Sequence, residues 1–160
     1  MLKGSLALFA IVTLASAAYS EAQSTKRLTA PSFYIAASGE YNKYSTTLDV
    51  KGVSNLPPGS RLSVILYDFV GYRSSILSAE AIVALNKDGF FEVTLKPRKG
   101  KQFKDNMVCE ISLNPNAVRQ DSSVLKVIGK KGELLGIDNN PQIGKMSGEN
   151  YYLQALVHIP

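Results

Sequence analysis

An all-β fold, a two-sheet antiparallel β-sandwich of seven to eight strands, is what this sequence predicts, and three observations predict it. Apolar side chains recur at every second residue through most of the chain, as half-buried strands require. Turn chemistry such as Asn-Leu-Pro-Pro-Gly and Asp-Gly breaks these runs at intervals of about 8–12 residues. No segment keeps an i, i+3, i+4, i+7 apolar pattern long enough for a helix of any size.

The first residues read as a targeting segment. Met1-Leu2-Lys3 is a short positive start, Leu6 to Ala15 is apolar, and Ala15-Ser16-Ala17 fits a signal-peptidase site, with a second cleavage point after Ala22. A membrane-spanning helix needs about 20 apolar residues, and this run meets Tyr19, Ser20 and Glu21 first. The expectation is a signal peptide over 1–17 and export to the periplasm or the exterior, with no transmembrane helix left after cleavage. Residues 18–31 then form a flexible N-terminal segment and residues 32–160 one β-sandwich domain. The remaining chain of about 140 residues suits a single domain that buries roughly two thirds of its unfolded surface.

Residues 32–38 read as the first strand and 46–53 as the second, with Leu48 and Val50 inward against Asp49 and Lys51. Asn55-Leu-Pro-Pro-Gly59 must turn, because tandem prolines fix φ and remove two donors. The stretch 61–69, apolar on both faces at Val64, Ile65 and Leu66, predicts a central strand covered on both sides. Strands 76–85 and 90–96 follow, joined by Asn86-Lys-Asp-Gly89, a hairpin signal; Phe91, Val93 and Leu95 face in. Strands 106–113 and 124–128 continue the series. Gly129-Lys-Lys-Gly132 reads as a tight turn into Glu133-Leu-Leu135, and 151–159 as the last strand. Residues 114–123 and 136–150 read as long polar connections.

The signal sequence, "LDVKGVSNLPPGSRLSVIL" (48–66) and the hairpin "NKDGFFEVTL" (86–95) together resemble exported bacterial single-domain proteins of immunoglobulin-like or transthyretin-like β-sandwich fold. The resemblance covers about half of the chain that follows the signal peptide. The disulfide pair and core tryptophan of antibody domains are both missing, and a shared fold implies no function of its own.

Composition narrows the chemistry. Cys109 is the lone cysteine, so no intramolecular disulfide forms; it alternates with Met107, Ile111 and Leu113 and reads as a buried small hydrophobe. Removing Lys3 takes the formal charge from +5 to +4, too little for a dedicated nucleic-acid binder. His158, the one histidine, shares a strand face with Gln154 and Tyr152 and reads as a surface residue rather than a triad member. Asp49, Asp68, Glu80, Glu92 and Glu110 alternate with apolar residues, the pattern of a wet face rather than of a glycosidase pair. One His and one Cys do not make a zinc site. Asp138-Asn-Asn140 runs into Pro141 and reads as a turn rather than a calcium loop, and no glycine-rich phosphate loop precedes a helix. The expectation is no enzyme, no metal and no cofactor.

Two stretches remain as candidate ligand-binding sites. Gly39-Glu-Tyr-Asn-Lys-Tyr44 sets Tyr41 and Tyr44 in a polar loop and Gly71-Tyr-Arg73 adds Tyr72; rigid aromatic faces beside amide and charged groups suit a sugar ring. "KPRKGKQFK" (96–104) sets five cations, Lys96, Arg98, Lys99, Lys101 and Lys104, into nine residues. A solvated connection accounts for them, and it would also discourage edge-to-edge association; an anionic glycan or lipid headgroup is the functional alternative. The leading reading is an exported, non-catalytic binding module that contacts glycans, anionic envelope components or a protein partner through these loops. An assembly subunit that docks by edge-strand addition is the alternative, although Ser24-Thr-Lys-Arg27 is short and polar for such an extension. A small hydrolase or an enzyme's accessory domain is the third reading.

Overall fold

The computed structural model describes residues 32–70, 74–100, 102–104, 106–136 and 140–160, with the backbone alone for 68–70 and 74–76. The signal peptide and N-terminal segment read from residues 1–31 lie outside the described residues. So do Tyr72, Lys101, Asp138 and Asn139. The described chain folds into strands β1 (Ile35–Asn42), β2 (Thr47–Ser54), β3 (Arg61–Val70), β4 (Ser74–Ala84), β5 (Phe90–Leu95) and β6 (Met107–Leu113), a short helix α1 (Ser122–Ile128), and strands β7 (Ile143–Met146) and β8 (Asn150–Ile159). Two antiparallel sheets result, three-stranded in the order β1-β2-β5 and five-stranded in the order β4-β3-β6-β8-β7. Among the described residues no helix is long and apolar enough to cross a membrane.

The period-two pattern sets the register. In the smaller sheet Tyr41, Leu48 and Leu95 lie in one cross-strand row, and Gly39, Val50 and Val93 in the next. In the larger sheet Ala81, Val64, Ile111 and Ala155 form one row, and Ala79, Leu66, Cys109 and Val157 another. These rows are the facing inner surfaces of a sandwich, and Leu48, Val50, Leu62, Val64, Leu66, Cys109 and Ile111 are wholly buried between them. Fully burying each such aliphatic side chain is worth about 1.5–3 kcal/mol. Slipping one strand by a single residue would turn its whole apolar set to solvent.

The turns form where expected. Asn86 closes the β4–β5 hairpin: its carbonyl accepts from Gly89 N, while its side-chain oxygen accepts from Asp88 N and Phe90 N. Pro57 O accepts from both Ser60 N and Ser60 Oγ.

Several expectations need correction. Residues 124–128 are not a strand but most of α1, whose Val124 and Ile128, one helical turn apart, are both buried. Residues 136–150 are not all connection, since Ile143–Met146 pairs with Asn150–Leu153. The first strand begins at Ile35 and runs on to Asn42, so Tyr41 is a strand residue on the inner face, not a loop residue. The central strand β3 is fully buried on its inner side only; Ser63, Ile65 and Tyr67 on its outer side stay partly exposed.

Side-chain amides close the strand ends that no backbone covers. Gln142 takes Ile35 N on Oε1 at 3.0 Å and gives Nε2 to Ile35 O at 2.7 Å, while its own carbonyl accepts from Gln154 N. One residue thereby bridges β1 of the smaller sheet and β8 of the larger. Gln120 does the same for Arg61 at the start of β3, with both bonds at 2.8 Å. Each amide stands in for a neighbouring peptide unit, which is why two backbone groups are satisfied at each place.

Candidate functional site

Topology gathers the candidate stretches at one end of the sandwich. The β1–β2 turn, residues 43–46, lies there, as do the last residue of β5, Leu95, and the first of β6, Met107. The ends of β3 and β8 lie there too, because Asp68 pairs with Met107 and Met107 with Ile159. The smaller sheet meets the β5–β6 connection at this end: the ring of Tyr41 stands edge-on to that of Phe103, with centroids 5.8 Å apart. Phe103 belongs to the basic stretch and is nearly buried. The tyrosine turn and the basic connection, 50 residues apart in sequence, are therefore neighbours.

The turn itself is built by Asn42, whose Oδ1 accepts from Tyr44 N at 3.0 Å and Ser45 N at 3.1 Å. Thr46 completes it with φ at 52°, a left-handed conformation rare for a branched residue. The result holds Tyr44 away from the body with its side chain fully exposed. An open cleft of about 610 Å³ lies beside it, lined by Glu40, Tyr41, Asn42, Lys43, Tyr44 and Asp49. Glu40 and Asp49 are cross-strand partners, and Thr94 Oγ1 donates to Asp49 Oδ1 at 2.5 Å, fixing that carboxylate. Two acceptors for hydroxyl donors thus stand near one free aromatic face.

The basic stretch divides. Arg98 is spent on the fold: its guanidinium pairs with Glu80, and its backbone N–H donates to Ser78 O at 3.0 Å, tying the connection to the edge of β4. Lys96, Lys99 and Lys104 are exposed. Lys101 and Tyr72 lie outside the described residues. The structure joins Tyr41 and Tyr44 to one cleft, but Tyr41 contributes from within the sheet and Arg98 faces β4.

Comparison with protein-family models, with characterised proteins and with solved structures returns no match.

The remaining candidates are outer-face residues. Glu92 pairs with Lys51 at 2.9 Å, both well exposed; Glu110 and His158 lie on the outer face of the larger sheet. Among the described residues no three His, Cys, Asp or Glu side chains come together as a metal site needs. Burial, with Glu110 nearby, pushes the Cys109 thiol up to about 12. It therefore stays protonated and weakly nucleophilic. The same causes, with Glu80 as well, raise the Tyr67 hydroxyl.

Sequence reasoning missed one feature, a depression of about 720 Å³ lined by Ala36, Lys51, Gly52, Val53, Phe90 and Glu92 among others. Gly52 lies in its wall, and a methyl there would run into the Phe91 ring and the Ala36 carbonyl oxygen. A glycine inside a strand is the signal for such a close approach. Its two charged groups pair with each other, so it offers little to orient a polar ligand.

Proposed function

We propose that this chain is a non-catalytic glycan-binding module, and that its contact surface is the cleft at the β1–β2 turn. The observation that carries this reading is the full exposure of the Tyr44 ring beside the Glu40 and Asp49 carboxylates, on a turn that Asn42 holds rigid. A sugar ring presents an apolar face of C–H groups to an aromatic ring and hydroxyl donors to carboxylates. Rigid tyrosine contacts cost little conformational entropy. With two acids and one lysine in its lining, the cleft favours a neutral or amino sugar over an acidic one. Export, expected from residues 1–17, suits such a partner.

Strand addition, the rival reading, finds less support in the geometry. Gln142 occupies the edge of β1 at Ile35, and Arg98 N–H occupies that of β4 at Ser78, which leaves less of either edge for an incoming strand. A glycan array followed by calorimetry on the best ligand tests the proposal. Tyr44→Ala and Asp49→Ala are each expected to weaken binding by about tenfold, the equivalent of roughly 1.4 kcal/mol, with little dependence on salt. Binding that survives both substitutions, or an array without a hit, would refute it.

A further inference from the structure

The other end of the sandwich carries a surface of different character. Arg61 of β3, Leu113 of β6 and Asn150 of β8 lie there, nine residues along β3 from Val70, which at roughly 3.3 Å per residue is about 30 Å from the tyrosine turn. Residues 122–135 cover this end as a compact unit. Val124, Ile128 and Leu135 are wholly buried beneath it, Leu134 N donates to Ile128 O at 3.0 Å, and Tyr151 N donates to Lys131 O at 2.7 Å. The first bond closes the unit on itself and the second ties it to β8.

Its outer side is apolar and basic at once. Val127 is 46% exposed and Leu134 53% exposed, although both are large aliphatic residues with buried neighbours. Lys126, Lys130 and Lys131 flank them and are exposed; none is in an ion pair among the described residues. The one acid within the unit, Glu133, is exposed as well, and backbone N–H groups together with the charge of Lys131 lower its carboxyl. Glu133 accepts from Lys131 N at 2.8 Å and packs its carboxyl where a side chain on Gly129 would lie. Asp121, just outside, is paired with Arg61 at 3.2 Å. Three cations and one exposed carboxylate, that of Glu133 beside Lys131, therefore border two protruding aliphatic side chains, which leaves the unit net positive.

We propose that this end of the molecule docks on an anionic lipid bilayer, with Val127 and Leu134 entering the headgroup boundary and Lys126, Lys130 and Lys131 lying against the lipid phosphates. Charge complementarity selects this partner. Lysines draw the protein to a negative surface, and aliphatic groups among them add affinity only where an apolar phase lies just beneath the charge. A free acidic polymer would use the lysines alone. The inference is independent of the glycan reading, which concerns the opposite end.

Co-sedimentation tests it, using vesicles of phosphatidylcholine alone and of phosphatidylcholine mixed with phosphatidylglycerol, with every variant carrying the same N-terminus. The protein is expected on the mixed vesicles only. Raising the salt from about 0.1 M to about 1 M, which cuts the screening length from about 10 Å to about 3 Å, should release it. Changing Lys126, Lys130 and Lys131 together to Gln is expected to weaken binding about 100-fold, at roughly fivefold per lysine. Val127→Ser with Leu134→Ser should weaken it at least tenfold, in line with the transfer cost of the lost aliphatic groups. Lys96→Gln with Lys99→Gln, at the other end, should change nothing. All seven replaced residues are exposed, so a thermal melt should show the variants folded. Absence of binding, equal loss from the Lys96 and Lys99 changes, or no effect of the Val127 and Leu134 changes would each overturn the proposal. The last result, joined to binding of heparin, would assign the surface to an acidic polysaccharide instead.

Discussion

Single side chains in this protein take their chemistry from the face on which period two places them. Cys109 alternates with glutamate and valine, yet it is sealed in the sandwich with Leu66 and Val157 as its row neighbours. Its folded-state pKa of about 12 stands above the ordinary value of 9.0, so above pH 9 the unfolded chain releases this proton while the folded chain keeps it. Stability must therefore fall as pH rises from about 9 toward 12. Urea midpoints at pH 8 and pH 10.5 should show the wild type losing up to about 2 kcal/mol more than Cys109→Ala; equal losses in the two proteins would remove burial as the cause. His158 was as legible as Cys109, since alternation alone assigns it to the outer face. Tyr41 was not. Its neighbours Glu40, Asn42 and Lys43 are polar, and nothing in them reveals that Phe103 lies across the sandwich to receive its ring.

At the scale of elements, the strands with strict alternation were legible and the two short elements were not. Helix α1 spans only Ser122–Ile128 and carries the β-branched residues Val124, Val127 and Ile128, which favour strands when judged alone. The signal present was the spacing of Val124 and Ile128, four residues apart, which suits one helical face. The four-residue β7, with Gly144 inside it, exists because β8 supplies its partner; no local pattern encodes that. The edge of β4 illustrates how sequence charge divides between fold and surface. Arg98 stands in the densest basic run of the chain, but its partner Glu80 comes from a strand 18 residues earlier. Both side chains are about half-exposed, and exposed pairs contribute about 0–1 kcal/mol. Glu80→Gln should accordingly lower the chemical-denaturation midpoint only slightly, by less than about 1 kcal/mol; a larger loss would mean that the pair holds the 97–104 connection in place.

For the whole molecule, the sandwich was readable because nearly every inner row repeats the same message, while the candidate site was readable only in pieces. Tyr41 and Tyr44 were visible as residues, but their meeting with Phe103 and with Asp49 depends on strand order, which alternation does not specify. Among the described residues, ten-residue strands of about 30 Å separate a tyrosine cleft at one end of the sandwich from an aliphatic-basic cap at the other. Along one side the Gln142 amide ties β1 to the larger sheet, with Asn140 donating to Phe33 O beside it. An amide both gives and takes, whereas the carboxylate left by its hydrolysis can only take, and it would then confront the Ile35 carbonyl oxygen at the place where Nε2 now sits at 2.7 Å. Slow chemical ageing at this residue would convert a clasp into a wedge. Gln142→Glu reproduces that event, and it should cost more than the roughly 1–3 kcal/mol expected when buried backbone groups merely lose a partner, as in Gln142→Ala; the order of the two melting temperatures decides it.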